Sequence, residues 1–260
     1  MPMHKHLAFV FLAITVAFLG GCATGPSAST PAVSQQEAQQ AWAEANQNNG
    51  DLPKFVRSDA DNVAILQTIS ARIDQVLPPF CQHFQLRQCG FMVEYDPADT
   101  VNAHADGQQK VTMYKGLMDY LSSEDEIALV LGHEVGHVLA SHVAKQQQNV
   151  MAGALVGTLL DAAAGTGGAF SRLGAQTGML LYSKEQEREA DLIGAYLLSH
   201  AGYNLDQGGR LFSVFAKLSK QQVSGFTDTH PTGPERVVAW NKTRSIVAAN
   251  PQGLPRLVAD

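Results

Sequence analysis

His133-Glu134-Val135-Gly136-His137 sets two histidines four residues apart, with a glutamate between them, inside a stretch that reads as helical. Residues four apart share one helix face, so His133 and His137 can offer two imidazole nitrogens to a single metal ion. Glu134 falls about 100° round from His133, close enough to act on a water at that ion without ligating it. Two neutral nitrogen donors, an open coordination position and an adjacent base are what zinc-assisted hydrolysis needs. The spacing points to a zinc-dependent peptidase with one Zn2+ per chain, His133 and His137 as ligands and Glu134 as the base.

The element that must carry this pentapeptide is a helix over Glu124–Ala144. Ser123 and Glu126 form a capping box at its start, and Ile127, Leu131, Val135, Val138 and Leu139 cover the side away from the histidines. Gly132 and Gly136 each cost a helix about 1 kcal/mol, which implies that another backbone or a substrate comes close. A catalytic zinc also needs a third protein ligand. The candidates are His142, Glu185, Glu187 and Glu189. On a helix over Lys184–Ala201, Glu187 shares a face with Ala190, Asp191, Gly194, Leu198 and Ala201, whose small members allow tight approach to the first helix. Glu185 and Glu189 project to the opposite side and read as solvated, and His142 falls on a different face from His133. Glu187 is therefore the expected ligand. Asp191, one turn on, is placed to take the second imidazole proton of a ligand histidine.

The rest of the chain reads as an α+β domain, mostly helical with a small antiparallel sheet. Val63, Leu66, Ile69, Ile73 and Val76 predict a helix over 59–77 that stops before Pro78-Pro79. Phe91–Tyr95, Thr100–Ala105 and Lys110–Met113 read as strands, the last two joined at Asp106-Gly107. Everything beyond Lys115 reads as helical, including Gly116–Leu121, Gln148–Ala163, Leu205–Lys220 and Pro234–Ala248. Val150–Leu181 is Ala- and Gly-rich, with apolar runs too short to span a membrane; it reads either as a lid beside the site or as a core-packing hairpin. Cys81 and Cys89 are either a disulfide, contributing about 2–3 kcal/mol through so short a loop, or two free thiols.

The N-terminus bears on location. Leu7–Leu19 is a short apolar run followed by Gly20-Gly21-Cys22, which suits a secretory signal and resembles a bacterial lipobox with Cys22 as the lipidated residue. The expected organisation is a signal peptide at 1–21, a lipidated N-terminus and flexible tether at 22–50, a catalytic domain at 51–250 and a tail at 251–260. That places the protein in the bacterial cell envelope, anchored by lipid and facing the periplasm; Ala23 after the cysteine favours the outer membrane. A net charge of −6 argues against nucleic acid as a partner.

HEVGH followed some fifty residues later by Glu187-Arg188-Glu189-Ala190-Asp191 resembles the gluzincin metallopeptidases of the HtpX and CAAX prenyl protease type, in particular their periplasmic lipoprotein branch. Asn102-Ala103-His104-Ala105 resembles that family's cleft-lining strand, and Val111–Asp119 the turn leading into the metal helix. Thr229-His230-Pro231 with Arg236 resembles its His-Pro…Arg element near the zinc. The resemblance implies a zincin-like fold and substrate contacts at Asn102, Ala103 and His104. It also implies catalytic roles for His230 and Arg236 in steadying an oxyanion. Asn102 could equally cap a turn, and Arg236 could equally pair with an acidic neighbour. The implied substrates are unfolded or misfolded envelope polypeptides, cleaved in quality control. The competing class is a chaperone-like envelope-assembly lipoprotein that uses the same fold for binding.

Overall fold

Ser123 begins the helix on which the site depends. In the computed structural model, which describes residues 26–47, 52–173, 182–220, 222, 225–231 and 233–258, the Ser123 hydroxyl accepts the Glu126 N–H at 3.2 Å. The Glu126 carboxylate reaches back one residue further than a capping box requires, accepting from the N–H and hydroxyl of Ser122. The elements in chain order are α1 (Gln35–Gln47), α2 (Asp59–His83), β1 (Met92–Asp96), β2 (Ala103–Ala105), β3 (Lys110–Tyr114), α3 (Lys115–Met118) and α4 (Glu124–Leu139). Then come α5 (His142–Ala164), α6 (Lys184–His200), α7 (Leu205–Gly208), α8 (Leu211–Lys220), α9 (Phe226–Thr229) and α10 (Pro234–Ala249).

The fold is α+β and mainly helical, as expected, with α4 at its centre and buried along almost its whole length. Its main partner is α6, and the small residues of both helices make the approach possible. A Cβ on Gly136 would lie 2.6 Å from the Ala190 carbonyl oxygen, and one on Gly194 would lie 2.9 Å from the Gly132 backbone. Gly136→Ala should therefore destabilise the fold by about 1–3 kcal/mol through overpacking, despite a helix-propensity gain of about 1 kcal/mol. Urea melts of the two proteins check this. A stabilised variant would show that the helices separate freely and that the glycines serve another purpose.

Four expectations are corrected. The sheet is mixed rather than antiparallel, with strand order β1-β3-β2, β1 parallel to β3 and β2 antiparallel to it. A tight turn at Asp106-Gly107, where the Asp106 carboxylate accepts from Gln108 and Lys110, makes the β2–β3 pair antiparallel. The chain between β1 and β2 then skips a position, so that β3 inserts between them. Helix α2 runs through Pro78 and Pro79 to His83. The two prolines free the carbonyls of Asp74 and Gln75, both exposed residues, while beyond them Phe80, Cys81 and Phe84 are buried. Helix α4 stops at Leu139, because Ser141 takes a left-handed conformation with φ 55° and ψ 34°, and α5 leaves at a bend of 52°. Finally, part of the segment expected to be a tether is docked. Ala28 is buried and bridges Leu257, Glu37 pairs with Lys242 of α10 at 2.7 Å, and the tail lies against the domain through His83–Pro255 and His200–Gly253 contacts.

Cys81 and Cys89 are joined as a disulfide. Helix α5 buries only His142 and Gly157 and exposes Met151, Leu155, Val156, Leu159 and Leu160, so it is no core-packing hairpin; residues 174–181 lie outside the described residues. No single helix among the described residues is long and apolar enough to cross a membrane. Cys22 and the signal stretch also lie outside the described residues.

Candidate metal centre

Three segments converge on one face of α4. His133 and His137 come from α4, Glu187 from the first turn of α6, and His230 from the residue that caps α9. Ligand atoms of all four lie within 4.8 Å of one another, and all four side chains are buried. The two histidine Nε2 atoms are 3.0 Å apart. Glu187 lies 3.4 Å from His137 Nε2 and 3.5 Å from His133 Nε2. His230 Nδ1 is 3.2 Å from His133 Nε2 and 3.0 Å from Glu187 Oε1. These separations suit a tetrahedral zinc, for which Zn–N distances of about 2.0–2.1 Å give donor-to-donor edges of roughly 3.3 Å. Two bare imidazole lone pairs facing each other at 3.0 Å would repel, and a cation between them removes the conflict. The donor set, three nitrogens and one carboxylate, suits zinc as well.

Glu134 stands beside this set rather than in it. It is wholly buried, and neither carboxylate oxygen has a hydrogen-bond partner; Oε1 lies 3.4 Å from His230 Nε2. A buried carboxylate without a hydrogen bond is costly, and its oxygens keep their full capacity to accept from a water or a substrate group.

The imidazoles are oriented from behind. His133 Nδ1 lies 2.9 Å from Asp191 Oδ1, so a proton on Nδ1 leaves Nε2 bare for the metal, which is the arrangement expected of Asp191. Arg236 in turn forks Asp191, with Nε to Oδ2 at 2.7 Å and Nη2 to Oδ1 at 2.9 Å, and its Nη1 sits 2.5 Å from Glu187 Oε2. The guanidinium is buried and pairs with two acidic neighbours, the alternative weighed for Arg236 beside the oxyanion role. Burial opposes ionisation of Glu187, yet Arg236, His230 and His133 hold its carboxyl well below the usual range. Asp191 is lowered against burial by Arg236 in the same way. Burial pushes His137 well down, so it stays neutral as a ligand must. His230 is raised; burial works against this, but the charges of Glu187 and Glu134 prevail. Its ring is stacked on Phe226 at 4.2 Å.

Two side chains differ from their expected places. The turn at Ser141 folds His142 back so that its Nδ1 lies 2.8 Å from His137 Nδ1. Glu189, expected to be solvated, is buried with Oε2 3.1 Å from His142 Nε2. Glu185 is exposed and, among the described residues, pairs with Arg188. Tyr182 carried no signal in the sequence, yet it stacks on His137 with centroids 3.8 Å apart. Burial, with the charges of Glu134 and Glu187, pushes its hydroxyl up in pKa.

The substrate-facing expectations divide. Strand β2 is an edge strand packed against α4, and among the described residues no strand pairs with its outer side. Ala103 and Ala105 face the core, leaving His104 on the open face near Tyr114. Asn102 accepts from the Ala103 N–H at 2.9 Å, and the Thr229 hydroxyl lies 3.4 Å from the same oxygen. It ties β2 to the His230 loop.

A helix-borne pair of histidines, a glutamate beside them and a carboxylate ligand from a second helix define a metallopeptidase-type site. The chain belongs to peptidase family M48, whose model matches residues 68–244. It is 33% identical over 144 residues to "Metalloprotease LoiP" of Escherichia coli, covering 54% of this chain and 57% of that protein. It is 32% identical over 142 residues to "Mitochondrial metalloendopeptidase OMA1" of Arabidopsis thaliana, covering 52% of this chain and 28% of the relative. It is also 32% identical over 117 residues to "Beta-barrel assembly-enhancing protease" of Yersinia pestis, covering 41% and 24%. The chain thus spans between about a quarter and somewhat over half of the length of these relatives.

Proposed function

We propose that the protein is a zinc metalloendopeptidase of the bacterial cell envelope that cleaves unfolded or damaged envelope polypeptides. The observation that carries this reading is the buried Glu134 carboxylate, without a hydrogen-bond partner, beside a four-donor cluster spaced for zinc. His133, His137 and Glu187 would hold the metal, and His230 would take the fourth position in the resting state after giving up the proton that Glu187 and Glu134 favour. When bound, the zinc supplies Lewis-acid polarisation of a substrate carbonyl and of the attacking water. Glu134 takes the proton from that water and then delivers it to the leaving amine. Asp191 holds His133 in its binding tautomer, and Arg236 acts through Asp191 and Glu187. The open edge of β2 suits a substrate in extended form, paired along its backbone. A binding-only clamp has no use for a buried base beside a metal site.

The envelope location rests on Leu7–Cys22, and relatives with mitochondrial names show that the family is not confined to one compartment. Cys22→Ala should block lipid attachment and move the protein from the membrane to the soluble fraction; unchanged fractionation would count against lipidation there. Cleavage of casein, which lacks stable structure, against a folded disulfide-bonded protein tests the substrate class. Preference for casein supports quality control, and equal rates on both argue for a processing enzyme instead.

A further inference from the structure

His137 has two ring nitrogens, and only one can face the metal. With Nε2 in the donor cluster, Nδ1 must carry the proton, and it points at His142 Nδ1 2.8 Å away. His142 Nδ1 must then accept. Its own proton therefore sits on Nε2 and is donated to Glu189 Oε2 at 3.1 Å. Glu189 Oε1 accepts from the backbone N–H of Ala28 at 2.5 Å. His137, His142, Glu189 and Ala28 are all buried. This is the one arrangement of protons that satisfies all three contacts while leaving His137 Nε2 bare.

Ala28 is free to make that contact. The segment around it is held to the tail by other backbone bonds, Ser29 N–H to the Arg256 carbonyl and Val258 N–H to the Ser27 carbonyl. Lys145 Nζ donates to the Ser27 hydroxyl at 3.1 Å. The Ala28 N–H takes no part in that pairing and turns inward to the carboxylate.

We propose that His142 and Glu189 are positioning residues that hold His137 in its metal-binding tautomer and orientation, and that the N-terminal segment completes the relay through the Ala28 N–H. The proposal rests on the metallopeptidase reading. It makes a stretch well outside the helical site part of that site's support. Residues behind a ligand histidine set both its ring orientation and its basicity, and their loss typically lowers metal affinity about 10–100-fold.

The test is the zinc dissociation constant of the full chain, measured by competition with a chromogenic chelator, alongside the thermal midpoint of each metal-free protein. His142→Leu should weaken zinc about 10–100-fold. His142→Gln should stay near the wild type, because a side-chain amide can accept from His137 and donate to Glu189. Ala28→Pro, which deletes the inward N–H and also fixes φ at about −65°, should weaken zinc severalfold. Ala28→Val, which adds bulk but keeps the N–H, should not. Affinities for His142→Leu and Ala28→Pro that match the wild type overturn the relay, as does equal loss in His142→Leu and His142→Gln. A lower metal-free midpoint with unchanged zinc affinity would make the contacts purely structural and also overturn it. A wild-type chain that takes up no zinc would sink the metallopeptidase reading instead.

Discussion

Glu134→Gln should retain zinc and lose about 10²–10⁴-fold in peptide turnover, the usual contribution of a general base. The substitution keeps size and shape at a position with no exposed surface; neither oxygen of Glu134 makes a hydrogen bond, and Oε1 faces His230 Nε2 at 3.4 Å. The fold and ligand set should therefore survive. The variant loses the basic oxygen that receives the water's proton. Zinc content by mass spectrometry and kcat on a fluorogenic peptide, measured on the same preparation, separate the two effects. Turnover at the wild-type rate would remove Glu134 from the chemistry; loss of zinc would make it a ligand or a structural group.

The second large effect is expected at Glu187. Glu187→Ala removes the carboxylate donor and leaves the buried Arg236 Nη1 without its 2.5 Å partner. Removing one member of a buried ion pair costs about 3–5 kcal/mol, and the lower end applies because Asp191 still forks the guanidinium. Zinc binding and cleavage should both fall below detection, with a drop in the unfolding free energy in urea. Glu185→Ala is the control: its side chain is exposed and its pair with Arg188 is worth at most about 1 kcal/mol. Equal zinc loss in both variants would defeat the assignment of the third ligand.

Much of this site was readable because helical spacing decides which side chains meet. His133 and His137 four apart, and the small residues flanking Glu187, were enough to place α4 against α6 and to bring three donors together. Asp191 followed from the same face. What could not be read came from breaks in periodicity and from partners distant in sequence. A serine in the left-handed region gives no sequence signal comparable to glycine's, so the end of α4 at Leu139 was missed, and with it the return of His142 to His137. Glu189 is on the far side of α6 from Glu187. It looked solvated because the segment that covers it, around Ala28, is polar and small and buries little apolar area of its own. Arg236 at the start of α10 opposes the helix dipole, which flagged it as unusual. Only the fold shows that two buried carboxylates are the reason. The prolines in α2 failed as a stop signal because burial of Phe80 and Phe84 outweighs two missing backbone bonds.

The central claim is that this chain is a peptidase whose activity depends on one zinc held by His133, His137 and Glu187. Titrating metal-free protein with zinc while following peptide cleavage tests it most directly. The account predicts no cleavage without metal, a linear rise with added zinc, and a break at one equivalent per chain that is absent in His133→Ala. Cleavage that persists in the metal-free protein, or a His133→Ala variant restored by the same single equivalent, would contradict it.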